Sequence, residues 1–598
     1  MKQNPRKDFQ ENIDHYENLT DKVSAKFAVF SWVRVLVFLL STFSVGYLFY
    51  LREILFSGIS LVLGFIVFGI IVRLHRQIAF QRRQSELLLE INGEELRKLD
   101  LELSGLYQGD EYKDEHHAYA SDLDLFGRSS LFQLLNRTAT PTGQEKLAKW
   151  LQDGADKETI VERQGAVQVL VQKTKWRQNF QALSRHLLDE KGVERLKALR
   201  KWLSHELDSG ILLNRNVALL VAAINFAITA TVVLGGFPVE YIIVPALVGI
   251  YMIRKLQPEI QEATEVSFQS VKLLRSYVYL IRSINHEDFD NDNLNSLKKV
   301  FIQPQPALKE IGRLAGLMEF LNNRANMLYW VFNGLFLIDV HLINGINKWK
   351  QQNADKLGEW IDTVSQFEAL NGLAGFAFAN PRYAVPNVST DGLSLKSNGL
   401  GHPLIPTEQR VTNDFQFENN RIGIITGSNM SGKSTFLRTV GLNLVLAQSG
   451  SVVCADFFEF TPITLFSSMR TSDNLEESVS SFYAELKRIE RLLHLVEHQQ
   501  PVFFLLDEIL KGTNTHDRQL GARSLIKQLN KKPCLGFVST HDLALGELGE
   551  KEDQLVNLNF SSEVINGELK FDYKLRSGVC QSFNASELMA QIGIELEK

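Results

Sequence analysis

Cysteine is scarce in this chain. Its three residues in 598, Cys454, Cys534 and Cys580, lie too far apart for a disulfide framework or a zinc site. Their placement fits a reducing compartment. A dominant charge sign is also missing: 64 Lys+Arg face 69 Asp+Glu, a net charge of −5. That balance gives no global attraction to nucleic acid, so DNA binding would need a local basic surface. No repeat of 20–50 residues and no low-complexity linker is found. The N-terminus lacks a cleavable signal pattern, because the first apolar run starts late and has no small-residue cleavage site. With 45% hydrophobic residues, disorder is excluded as the dominant state, and the length fits about three or four structural units.

The most telling shortage is local. Between Arg34 and Arg73 lie 38 residues whose only charges are Arg52 and Glu53. They divide into 35–51 and 54–72, each close to the roughly 20 residues that span a hydrocarbon layer. A second block of 38 residues, between Arg215 and Arg254, carries Glu240 alone. It divides into 217–234, a turn, and a shorter 241–253 that contains Pro245. Lys22, Lys26, Arg34, Arg73, Arg76, Arg82 and Arg83 flank the first block, and Arg215, Arg254 and Lys255 the second. By the positive-inside rule both blocks are expected as helical hairpins that enter and leave on the cytoplasmic side. Buried helices of a large soluble core are the alternative. A third apolar run, 328–343, contains Asp339 and His341. Charge there is costly in mid-bilayer, and a single crossing would put the rest of the chain outside, so a buried helix of a soluble domain is expected.

Elsewhere the pattern before residue 380 is helical, as in 82–101, 131–153, 160–188 and 266–285, with apolar positions three and four apart. After it, short β-rich runs at 421–426, 502–506 and 534–539 alternate with helices, which signals a parallel α/β sheet. The expected order is a polar tail (1–33), hairpin 1 (34–73), a helical connector (74–119), a first lever part (120–214), hairpin 2 (215–255), a second lever part (256–379) and an α/β domain (380–598).

Three strand ends carry chemistry. RIGIITGSNMSGKST (421–435) is a β-run followed by G-x(4)-G-K-S. In such a loop Gly427 and Gly432 let backbone N–H groups, from Ser428 through Ser431, curl around phosphate. The helix N-terminus adds positive potential, Lys433 neutralises the β/γ-phosphates, and Ser434 holds Mg²⁺. PVFFLLDEILKGTN (501–514) is an apolar strand ending in Asp507 and Glu508. The first acid of such a pair can coordinate Mg²⁺, and the second can position or deprotonate the attacking water. LGFVSTHDLAL (535–545) is a strand that ends at Ser539, Thr540 and His541, a histidine placed to sense a γ-phosphate.

These segments resemble the MutS family of ATPases, relatives of the ABC ATPases. GSNMSGKST is similar to the family's G-P-N-M-G-G-K-S-T, with Asn429 and Met430 in place and Ser428 and Ser431 substituting for Pro and Gly. DEILKGTNTHD resembles D-E-x-G-R-G-T-x-T-x-D, and STHDL the family's [AS]-T-H segment. GHPLIP (401–406) and VTND (411–414) resemble the lead-in to the ATPase, 469–486 the signature region, and 123–151 the start of the core-lever domain. The resemblance implies a helical core with levers followed by a P-loop ATPase domain of the ABC type. It also implies ATP and Mg²⁺ as ligands and a dimer with composite sites. Asn429, Lys433, Ser434 and Thr435 would hold nucleotide, Ser434 and Asp507 the metal, Glu508 the water and His541 the γ-phosphate. Ser480 would act in trans on the partner's nucleotide.

The departures are specific. Ser478 stands at the signature glycine, Leu510 and Lys511 replace Gly-Arg, and no adenine-packing aromatic is found near Arg410 and Val411. Phe9 and Glu11 fit the bare Phe-x-Glu pattern of mismatch readers, but in a short polar stretch where chance explains them. The resulting expectation is a multi-pass protein of the cytoplasmic (inner) membrane with its ATPase in the cytoplasm. It would bind duplex or branched DNA, serve mismatch repair or recombination without the mismatch-reading domain, and touch membrane lipid through both hairpins. An ATPase that acts on lipids or a membrane partner without DNA, and a nucleotide-gated scaffold, stay open.

Overall fold

The computed structural model describes residues 4–187, 192–204, 215–390, 392–418, 421–469, 481–498, 501–549, 552–565 and 568–580. It is a mixed assembly of long helices and an α/β sheet. Two helices of 46 residues each, α1 (Pro5–Tyr50) and α2 (Ile54–Leu99), form an antiparallel pair. Asn4 caps α1 by accepting from the Lys7 amide, Pro5 opens it, and Arg97 and Lys98 complement the dipole at the end of α2. Arg52, at φ +61°, makes the turn. Cross-contacts from Asn12–Asn92 through Ser31–His75 to Ser44–Ser60 run along the pair.

Residues expected as a polar tail are therefore helix from Pro5 onward. Phe9 is buried and packs edge-on against Phe378, ring centroids 5.5 Å apart. Its ring is a packing element and is not free to wedge into a duplex. The middle of the pair is different in kind: Leu36, Phe43, Val62, Phe65 and their neighbours are largely exposed. Both α1 and α2 are long and apolar enough to cross a membrane by length and composition.

The body begins with α3 (Leu131–Leu135), α4 (Pro141–Gln152), α5 (Lys157–Val171), α6 (Thr174–Leu187) and α7 (Gly192–Ser204). The expected helices 131–153 and 160–188 are thus each split in two. Thr140 caps α4 through the Gly143 amide, and Pro141 sits at its first position, so the chain restarts there. The second apolar block forms α8 (Arg215–Gly235) and α9 (Ile243–Lys255), of unequal length. Within α8, Asn216–Val232 is an apolar helix shorter than α1 or α2.

Then follow α10 (Gln257–His286), α11 (Asp292–Lys299), α12 (Ala307–Leu321), α13 (Met327–Phe336) and α14 (Ile338–Ala379). The third apolar run is not one buried helix. Leu337, in the left-handed region at φ +52°, breaks it into α13 and the start of α14. α13 packs on α8 and α9, and Trp330 and Phe332 are half exposed. The reason is Asp339: its carboxylate accepts from Tyr329 and Asn333 and pairs by charge with Arg324, all on the near side of the break. α14 is the spine of the body, buried almost continuously over its last turns, and Glu368 on it accepts the amides of Ala139 and Thr140.

The α/β part contains β1 (Asn387–Val388), β2 (Ser394–Leu400), β3 (Asn413–Glu418), β4 (Ile422–Gly427), α15 (Lys433–Gln448), β5 (Phe457–Phe460) and β6 (Thr464–Ser468). It continues with α16 (Ser481–Glu497), β7 (Val502–Asp507), α17 (Thr515–Leu529), β8 (Cys534–Thr540), α18 (Gly546–Gly549), β9 (Leu555–Ile565) and β10 (Glu568–Ser577). A six-stranded sheet runs β10-β9-β4-β8-β7-β6, and a smaller one β1-β5-β2-β3. From β9 to β6 the large sheet is parallel; β10 is antiparallel to β9. Its central strands are fully buried, as their unbroken apolar runs require.

Candidate functional site

Register brings the three strand ends together. Thr426 pairs with Thr540, and Asp507 with Ser539, so Gly427, Asp507 and His541 leave the sheet at one edge. This is the carboxyl edge, where parallel sheets bind ligands. The loop after β4 is shaped by left-handed positions at Met430 (φ +68°) and Gly432 (φ +102°) before α15 begins at Lys433. A Cβ on Gly432 would lie 2.9 Å from the Tyr573 ring, so that glycine is fixed by contact as well as by its torsion.

A cavity of about 510 Å³ lies over this loop. Asn429, Met430, Gly432, Lys433, Ser434, Thr435 and Glu508 line it from the expected set. Gly427, Ser428, Ser431, Asp507 and His541 do not reach its wall. Met430 is four-fifths exposed, so it is a rim residue. Lys433 is buried and folds back on the loop, donating to the carbonyls of Gly427 at 2.8 Å and Ser428 at 2.9 Å. Burial lowers its pKa, although Glu508 and Asp507 nearby pull the other way. The hydroxyls of Ser428 and Ser431 are buried without a hydrogen-bond partner. Unpaired buried hydroxyls beside a folded-back lysine are what a loop built for phosphate oxygens leaves when none is bound. The residues therefore fit a nucleoside triphosphate.

The metal side is sparser. Asp507 accepts from the Ser539 hydroxyl. Among the described residues no group of three or more His, Cys, Asp or Glu side chains is placed to hold a metal. Magnesium in nucleotide sites takes one or two protein ligands and completes its shell with phosphates and water. Ser434 and Asp507 are compatible with that arrangement. Glu508 is strained at φ +50° and its carboxylate pairs with Lys511 at 3.1 Å. Burial alone would raise its pKa, but the pairing with Lys511 and the charges of Lys433 and His541 outweigh it and hold the group lowered. Leu510 stands at φ +59° where the family pattern has glycine. Its amide donates to Glu485, whose carboxyl is raised by burial. His541 is exposed at the edge, close enough to act on the charge of Glu508. Ser480, the residue expected to act in trans, lies outside the described residues.

The sequence reading missed the opposite wall. His402, Ile405, Pro406, Val411, Phe560 and Tyr573 close the cavity. GHPLIP was noted only as a lead-in, and Tyr573 comes from a bulge in β10 some 140 residues after the loop. The register of β9 and β10 shifts between Phe571 and Leu575, and Asn413 binds the bulge through the Tyr573 carbonyl and the Leu575 amide. Burial, with Arg438 and Arg410 adding to it, pushes His402 down to about 4, so the ring is neutral at pH 7.

Residues 423–593 match the family model for MutS domain V, and residues 101–231 that for MutS domain III, together about half of the chain. The chain belongs to the MutS family. It is 30% identical over 254 residues to the DNA mismatch repair protein MutS of Finegoldia magna, covering 41% of this chain and 29% of that protein. Its likeness to MutS of Thermotoga maritima is 31% over 262 residues, covering 43% and 32%. The DNA mismatch repair protein MSH6 of Arabidopsis thaliana is 31% identical over 245 residues, covering 37% and 18%. The chain thus spans about a third or less of the length of these MutS relatives. At the family level this is an ATPase family of DNA mismatch repair, and the loop of 427–435 lies inside the domain V match.

Proposed function

We propose that the chain binds ATP in the 427–435 cavity and hydrolyses it through a P-loop ATPase domain of the ABC type. One observation carries the reading: three strand ends leave the sheet at one edge, beside a cavity lined by Asn429, Lys433, Ser434, Thr435 and Glu508. In it Asn429, Lys433 and Thr435 hold the phosphates, and Ser434 and Asp507 hold Mg²⁺, which supplies charge neutralisation when bound. Glu508 positions the attacking water once Lys511 releases it, and His541 faces the γ-phosphate. The aromatic ring of Tyr573 and the apolar Ile405 and Val411 offer a surface for the base. The active form is a homodimer in which each subunit, through the segment that contains Ser480, completes the other's site.

The exposed apolar faces of α1–α2 and of α8–α9 support anchoring in the cytoplasmic membrane as helical hairpins, with the ATPase in the cytoplasm. The family's role in DNA mismatch repair makes duplex or branched DNA the leading ligand. A membrane-associated ATPase without DNA is the second reading, favoured by the burial of Phe9 under Phe378. The test is ATP turnover of the full chain in lipid, with and without duplex, branched and mismatched DNA. We expect Glu508→Gln to cut turnover about 100-fold or more while ATP still binds. Unchanged turnover in that variant removes Glu508 from its role. DNA binding that does not weaken with salt, or is undetectable, leaves the second reading.

A further inference from the structure

We infer that α13 is a re-entrant half-helix: it enters the bilayer beside the α8–α9 hairpin, turns at Leu337 within the hydrocarbon layer and returns as the start of α14. The inference rests on the membrane reading of α8–α9. Its first support is position. The C-terminal end of α13 meets the hairpin at its middle. A Cβ on Gly249, the central residue of α9, would fall 1.8 Å from the Gly334 carbonyl, so the two backbones cross in contact. Asn225, midway along α8, donates its side-chain amide to the Leu335 carbonyl at 3.0 Å. The N-terminal end lies at the charged end of the hairpin: Arg324 reaches Gln257, which follows Arg254 and Lys255.

Length gives the second support. Ten residues at 1.5 Å rise make about 15 Å, half of a roughly 30 Å hydrocarbon layer. The helix is too short to cross and reaches at most to the centre, so the chain after it stays on the cytoplasmic side.

The third support is the handling of polar groups. Backbone that leaves a helix at membrane depth is tolerated only where protein satisfies it. Here Leu337 is fully buried, and Asn225 accounts for one of the carbonyls that the end of α13 leaves open. The one acid of the turn, Asp339, is fully buried and accepts from the Tyr329 hydroxyl at 2.5 Å and Asn333 at 2.7 Å, with Arg324 at 3.2 Å. An intramembrane carboxylate needs such internal pairing.

What covers the outer face follows from its chemistry. Leu220, Leu247, Tyr251, Trp330 and Phe332 are about half exposed. At the charged end Lys255 lies over Tyr251 at 5.2 Å and Arg324 over Trp330 at 4.8 Å. Aromatic rings under cations, next to an uncharged apolar face, match the headgroup and acyl layers of an anionic bilayer in that order. The occupant is lipid.

The three native cysteines are buried, so an environment-sensitive fluorophore can be placed by Phe332→Cys in α13, with Val62→Cys in α2 and Leu520→Cys in α17 as references. All three positions are exposed, which keeps the fold out of the comparison. The full chain is reconstituted in anionic phospholipid vesicles whose acyl chains are brominated at mid-length. Quenching at 62 and 332 but not at 520 is expected. Quenching at 62 without quenching at 332 overturns the re-entrant helix and leaves the α1–α2 anchor standing. Aqueous iodide then tells whether water or a protein (a second copy included) covers the face, and either answer counts against lipid. Absence of quenching at both 62 and 332 overturns the membrane reading together with the inference.

Discussion

Two sets of buried polar groups, one beside α13 and one beneath the 427–435 loop, are treated in opposite ways. At Asp339 both carboxylate oxygens have donors, and its own amide donates to Asn333 at 2.8 Å. At the loop two serine hydroxyls have no partner and Lys433 falls back on the carbonyls of its own turn. The first arrangement satisfies both oxygens of the carboxylate and fixes a turn, although the Nε of Arg324, held there by charge, makes no hydrogen bond. The second leaves two hydroxyls and a lysine open, and such a set suits an anion. Burial of polar atoms thus separates a structural device from a binding site only when their partners are counted.

Breaking the Asp339 cluster should cost most. Asp339→Ala leaves Arg324 buried without its counter-ion and should lower stability by about 3–5 kcal/mol. Thermal unfolding of the full chain in lipid or detergent reads this out, and Asp339→Asn should recover part of the loss by keeping the Tyr329 bond. A melting temperature unmoved by Asp339→Ala would mean that the cluster does not hold the turn.

The cavity wall should answer to acid. His402 is held down to about 4 by burial, and the ordinary histidine value of about 6.5 applies once the chain unfolds. Between those values the unfolded state binds one more proton than the folded state. Stability is therefore intact above about pH 6.5, falls as the pH drops toward about 4, and levels off below, for up to about 3 kcal/mol in total. His402→Asn, which can still accept from the Leu404 amide, should flatten that part of the profile. An identical acid profile in the variant would refute the assignment.

The smallest effect sharpens the comparison most. Ser431→Ala removes a hydroxyl that has no partner, so the nucleotide-free protein should gain roughly 1 kcal/mol. The rise in melting temperature on adding ATP should shrink at the same time. A loss of stability without nucleotide would show that the hydroxyl is satisfied and that the contrast with Asp339 does not exist.

How much of this the sequence revealed depended on range. The loop, the acids at 507–508 and the end of β8 were legible because each is a local pattern of strand, turn and helix. The parallel sheet that joins them follows from the same alternation. Tyr573 was hidden because it acts from an irregular bulge far along the chain, where no local signal marks it. The first 33 residues read as a tail because their polar composition suits solvent, yet Phe9 finds a hydrophobic seat on α14 that only the folded chain provides. The division of 328–343 was hidden for a third reason. Leucine at φ +52° breaks the helix at a position that is neither glycine nor proline, and Asp339 read only as a costly charge in an apolar run until the fold gave it partners.

The paired helices α1 and α2 have one further consequence, a mechanical one. The body grips α2 along Phe80–Lys98 and α1 at Phe9, while the apolar part beyond is free of it. From Phe80 to Ile54 the free length is about 39 Å at the helical rise. Two helices bonded side by side over that distance bend little. The tip of the arm is a cantilever clamped at one end, so any surface that holds the tip keeps the body at a set standoff. A turn of 10° at the clamp would sweep the tip through about 7 Å over that length. The pair behaves as a stalk, which transmits angle, and not as a leash, which transmits only distance.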